Sequence, residues 1–168
     1  MPLYTVVPLT SRLEDLIAAV ILGPPTQFPV QEKDTVLQQY AQSDGLADLK
    51  QAILATVRLI TPLYLSANIF EGKSIRSAAG HDVDIPRTKP TALLRLSGHL
   101  MTGPAEIAII TPLVGSADIK GKSVYFWRHG DEIRQEAKME SGLIIIRPEV
   151  CYIIPEDIPF VPMFCKVK

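Results

Sequence analysis

The hydrophobic period of this chain changes at Thr61-Pro62, and nothing else in the sequence constrains the fold as tightly. Before that pair, apolar residues recur at three- and four-residue spacing. After it, they come in short runs cut by turn residues. The residue before a proline is biased away from helix, so the pair marks a boundary. The expectation is one α+β domain over residues 1–168. A helical part, 1–62, packs on a β-rich part, 63–168, that forms an antiparallel β-sandwich or barrel.

Three helices are predicted in the first part, at about 11–22, 31–41 and 46–60. Ser11 and Glu14 have the spacing of a capping box ahead of Leu13, Leu16, Ile17, Val20 and Ile21, and Gly23-Pro24-Pro25 stops that helix. The second has a thin apolar stripe of Val36, Leu37 and Tyr40. The third has a broad one, with Leu46, Leu49, Ile53, Leu54, Val57 and Ile60 on one face.

Strands are expected at Leu3–Val7, Leu63–Phe70, Ala92–Met101, Glu106–Pro112, Ser123–Arg128, Leu143–Arg147, Cys151–Ile154 and Val161–Val167. The polar stretch Glu71–Pro90 reads as a long loop holding a short strand near Val83–Ile85. Asp131–Lys138 reads either as an exposed edge strand or as one or two helical turns.

Charge narrows the partners. Seventeen basic residues face eighteen acidic ones without clustering, so the basic footprint of nucleic-acid binding is missing and nucleic acid is not expected as the main partner. No run approaches the roughly 20 apolar residues that span a bilayer. Leu16–Leu22 follows Glu14 and Asp15 and has no basic leader, which argues against a signal peptide. The cytoplasm, of a cell or of an infected host, is the expected compartment. Cys151 and Cys165 could pair if they sat on adjacent strands. The expectation is two reduced thiols, and neither has a second Cys or His at zinc-ligand spacing.

Catalytic signatures are missing: there is no P-loop, G-x-G-x-x-G, G-x-S-x-G or H-E-x-x-H. In His81-Asp82-Val83-Asp84, the two aspartates would share a face of a strand, an arrangement suited to a divalent cation or to a solvated turn. His99 lies in L-S-G-H-L. His129 follows the aromatic trio Tyr125, Phe126 and Trp127 and reads as part of a turn. A Cys/His nucleophile pair using Cys151 or Cys165 requires adjacency that sequence does not give.

The C-terminal stretch carries a resemblance. Phe126-Trp127, Leu143-Ile144-Ile145-Ile146-Arg147-Pro148, Val150 to Pro162 and the final Lys166-Val167-Lys168 resemble the closing strands of YhcH/YjgK/YiaL-type proteins. Asn68-Ile69-Phe70 and Ala105 to Ile109 fall at compatible places upstream, so the likeness covers about residues 46–168. It implies a cupin-like double-stranded β-helix and a link to sugar and sialic acid catabolism. The family's end motif carries a metal-ligand histidine where this chain has Pro159, so the resemblance implies a degenerate metal site.

Two functions follow. The first is a non-enzymatic structural or interaction protein that self-associates, of viral matrix or capsid type or an assembly module, with itself or another protein as partner. A mean hydropathy of +0.19 leaves apolar surface for such contacts. The second is a cupin-like small-molecule or sugar-acid binding protein or enzyme. Its barrel mouth would be lined by His81, Asp84, His99 and Glu106. No catalytic residue, metal or cofactor is assigned on the first reading.

Overall fold

A computed structural model describes residues 2–29, 34–64, 83–84 and 89–167. Strand β1 (Tyr4–Val7) leads into helix α1 (Ser11–Ala18), then β2 (Pro25–Pro29), β3 (Val36–Tyr40) and helix α2 (Leu46–Tyr64). Strands β4 (Val83–Asp84), β5 (Ala92–Ser97), β6 (Leu100–Met101) and β7 (Glu106–Pro112) follow. After the four-residue helix α3 (Ser116–Ile119) come β8 (Ser123–Arg128), β9 (Gln135–Lys138), β10 (Leu143–Ile146), β11 (Val150–Ile153) and β12 (Phe160–Val167).

These strands make two antiparallel sheets. The large one runs β1-β10-β7-β12-β5-β3-β2, with β4 also paired to β12, and the small one runs β6-β11-β8-β9. From β5 to β12 the chain passes between sheets so that β5, β7, β10 and β12 lie in one and β6, β8, β9 and β11 in the other. Eight strands wound in this way are a double-sheet jelly roll. Strands β1, β2 and β3 widen the large sheet.

The core lies in two layers. Between the sheets, Ala108, Ile110, Ile144, Ile146 and Phe160 meet Leu100, Val124, Phe126, Val150 and Tyr152. On the far face of the large sheet, Ile107, Ile109, Leu143, Ile145, Val161 and Met163 join Leu13 and Ile17 of α1 and Leu49 and Ile53 of α2 in a second cluster. The run Leu143-Ile144-Ile145-Ile146 is buried at every position because both faces of β10 are covered. Each such side chain contributes about 1.5–3 kcal/mol of burial energy.

The first third departs from its expected helical character. Val36 to Tyr40 form a strand, not the second helix. β3 pairs with β2 and with β5, which satisfies its backbone on both sides, and only Leu37 is fully buried. A stripe that thin gives a helix no face to bury, and pairing overrides the local pattern. Helix α1 ends at Ala18 rather than near residue 22, and its cap is Thr10, not Ser11. The Thr10 Oγ1 accepts the Leu13 N–H at 3.2 Å. Helix α2 runs through Thr61-Pro62 to Tyr64, held by a buried face of Leu46, Leu49 and Ile53. The expected strand Leu63–Phe70 is therefore helical at its first two residues, and the rest lies outside the described residues.

The β-rich part follows the expected runs closely. One run divides: Ala92–Met101 becomes β5 and β6 around Gly98, which has φ +74 and whose missing Cβ would lie 2.6 Å from Asp34 O. The charged stretch Asp131–Lys138 resolves as strand β9 on the edge of the small sheet.

Gly142, before β10, has φ +137, and a Cβ there would stand 2.0 Å from the Val7 carbonyl oxygen. Gly142→Ala therefore combines backbone strain with a main-chain clash. The expected loss is at least about 2 kcal/mol in urea unfolding. An unchanged midpoint would show that β1 and β10 are not held this closely.

Candidate functional site

Among the described residues, large side chains fill the middle of the jelly roll. Phe126, Tyr152 and Phe160 are fully buried between the sheets, and the Tyr4 ring stacks on Phe126 at 4.5 Å. The Tyr152 hydroxyl is buried and has no hydrogen-bond partner among the described residues, and burial, with a smaller push from the Glu106 charge, drives its pKa far above the usual phenol value. At one end of the sandwich, Arg95 of β5 reaches inward. Its Nε donates to the Ile154 carbonyl at 2.5 Å and its Nη1 to the Gly98 carbonyl at 3.0 Å, while Glu156 lies 3.7 Å away. Desolvation lowers the Arg95 pKa and Glu156 partly offsets this. Arg95 ties the β5–β6 turn to the segment entering β12, which is a structural role.

The other end is polar. Thr102 Oγ1 donates to the Arg147 carbonyl at 2.5 Å and accepts the Val150 N–H at 3.0 Å. The Glu106 carboxylate accepts the Gly103 N–H at 3.3 Å. Register then builds a row across the large sheet: Lys166 of β12 stands opposite Glu106 of β7 on one side and opposite Asp84 of β4 on the other. Directly opposed residues share a face, and alternation from Phe160 and Ala108 puts Glu106 and Lys166 on the face that looks toward the small sheet. Phe164, two residues before Lys166, shares that face and remains 37% exposed. Phe164, Lys166 and Glu106 thus share one face at the end of the inner layer, with the Asp84 backbone in register beside Lys166.

The residues singled out from sequence fare differently. Asp84 and Glu106 come into one row. His99 does not join it. Its ring packs 5.3 Å from that of Trp127, an outward position on the small sheet, and Arg134 lies over the same indole at 4.6 Å. His81 lies outside the described residues. Neither Phe164 nor Lys166 is marked as a site residue by the sequence, because what joins them to Glu106 is a pairing across sixty positions (106 against 166).

A metal of the kind implied by the cupin-like resemblance does not fit this donor set. Pro159, at the position of the ligand histidine, uses its carbonyl to accept the Leu113 N–H at 2.8 Å. Among the described residues no group of three or more His, Cys, Asp or Glu is placed to hold a metal ion. In the polar row a lysine occupies the centre.

Both cysteines are buried, and they lie on separate sheets and are not bonded to each other. Burial raises the Cys165 thiol to about 11, above its ordinary value of 9.0. A folded state that holds its proton longer than the unfolded state loses stability as pH rises. Stability from this group is intact below pH 9 and lost towards about 11. Urea midpoints measured across that window should fall, and Cys165→Ala should flatten the fall. Tyr152→Phe, which removes an unpartnered buried hydroxyl, should leave stability at neutral pH unchanged or raise it by up to about 1 kcal/mol. A large loss would reveal a partner for that hydroxyl.

The fold is similar to a solved structure of a prolyl-4-hydroxylase from Pseudomonas putida. The TM-score is 0.51 at 9% identity, over 99% of this chain and 94% of that chain. No family model matches, and no curated protein matches. No helix among the described residues is long and apolar enough to cross a membrane. At 9% identity the likeness shows the fold alone: a jelly roll of a kind that also serves an enzyme.

Proposed function

We propose that this chain binds a small polyhydroxylated carboxylate, of the sugar-acid type, at the polar end of its jelly roll and without a metal. The observation that carries the reading is the row of Asp84, Lys166 and Glu106 in register beside the exposed ring of Phe164. The chemistry of each residue type suits one part of such a ligand. The Lys166 ammonium pairs with the ligand carboxylate. The Glu106 carboxylate accepts from hydroxyl groups, and the Phe164 ring offers an apolar surface to the C–H face of the sugar. Likeness to the fold of an enzyme supports this reading over a self-assembling structural protein. Matrix, capsid and assembly roles draw no support from any observation in the structure.

Titration calorimetry or ligand-observed NMR with gluconate and galacturonate tests the proposal. Wild-type protein should bind at least one of them. Lys166→Ala should weaken binding by about tenfold or more, the scale of one charge-assisted hydrogen bond. Phe164→Ala and Glu106→Gln should each weaken it, while a chelator should leave it unchanged. No binding by wild type, or affinity indifferent to all three substitutions, would overturn the assignment. Binding abolished by chelation would return the site to a metal-bearing cupin type.

A further inference from the structure

The large sheet has a second feature at its opposite end, about 20 Å along β7 from Glu106 for a strand of this length. Here the chain leaving β1 and helix α1 faces the segment joining β7 to α3, and a groove of about 800 Å³ lies between them. That volume is in the range of sites that take sizeable ligands. Its floor is apolar and part exposed, formed by Leu9, Val20 and Val114. Its rim carries Glu14 and Asp15 from α1, Asp118 from α3, and Glu140 from the 3-10 turn Met139–Ser141, all exposed.

The charge is one-sided. No lysine, arginine or histidine lines the groove among the described residues. The nearby Lys122 ammonium is engaged 2.6 Å from the Asp157 carboxylate. Glu140 takes the Gly121 N–H at 3.3 Å through one oxygen, which fixes its position on the rim. The whole chain has a net charge of only −1, so four carboxylates facing one concavity are a local feature rather than a reflection of composition.

We infer that this groove is a docking site for a basic, apolar-flanked peptide segment of a partner protein. Apolar side chains of such a segment would cover Leu9, Val20 and Val114, and its lysines or arginines would meet the rim. A simple polyamine satisfies the rim alone. A second copy of this chain would need a basic segment to offer, and its basic residues are scattered. The site is independent of the ligand site proposed at the polar end.

The test uses a fluorescein-labelled peptide of alternating leucine and lysine, with binding followed by anisotropy. Three proteins are compared with wild type. One carries Glu14→Gln, Asp15→Asn, Asp118→Asn and Glu140→Gln. A second, a charge-matched control, carries Asp131→Asn, Glu132→Gln, Glu136→Gln and Glu149→Gln. The third carries Leu9→Ser. Circular dichroism confirms that each is folded. The rim variant should bind about tenfold or more weakly, the sum of several exposed ion pairs. Leu9→Ser should also weaken binding, and the control should stay within about twofold of wild type.

Equal losses in the rim variant and the control would mean attraction to surface carboxylates in general and overturn the site. Displacement by spermine, with no effect of Leu9→Ser, would overturn it in favour of a polyamine. Self-association of wild type that disappears in the rim variant would overturn it in favour of a second copy.

Discussion

Burial of the large sheet on both of its faces is the constraint on which the rest of this structure depends. Strands β7, β10 and β12 are sandwiched between the small sheet and helices α1 and α2, and they tolerate few polar groups along their length. Polar chemistry is therefore pushed to strand ends. Glu106 begins β7, Lys166 lies near the end of β12, and Thr102 and Arg147 sit in the connections around them. The acidic groove lies beyond the other end of β7. Both proposed sites thus arise where the double burial stops.

The same constraint sets what lies between the sheets among the described residues. Sites in folds of this kind need room between the sheets. Here Phe126, Tyr152 and Phe160 take that room. Packing these rings gives stability, and Phe164, nearer the end of β12, is only partly covered.

The sequence was legible where burial is local and regular. Apolar runs from Ala92 onward fell close to β5 through β8 and β10 through β12, since each strand buries its own residues wherever its neighbours come from. The long helix was equally clear from its broad stripe. Residues 36–40 were misread because Val36, Leu37 and Tyr40 fit a helix and an edge-side strand about equally, and pairing with β5 decided between them. Site residues divide along the same line. Asp84 and Glu106 were named for their chemistry. Lys166 and Phe164 went unnoticed because only the register of β7 with β12 gives them meaning. His99 drew notice as a rare residue beside a glycine, and its place on the outer side of the small sheet removes it from that group.

The order of strands in space also has a consequence for how the chain reaches this state. β12 comes last of the twelve, yet it lies inside the large sheet, between β7 and β5, and β1 finds its partner only in β10, with Tyr4 opposite Ile146. On a ribosome that delivers residues from the N-terminus, β1 and β7 emerge with open edges and wait for strands not yet made. Long-range pairing of this kind is slow, because loop closure precedes any contact that rewards it. Strand β10 can cover β1 and one edge of β7, but the other edge of β7 stays open until β12 is made. Its yield in a cell therefore depends on what shields those edges as much as on the stability of the finished sandwich.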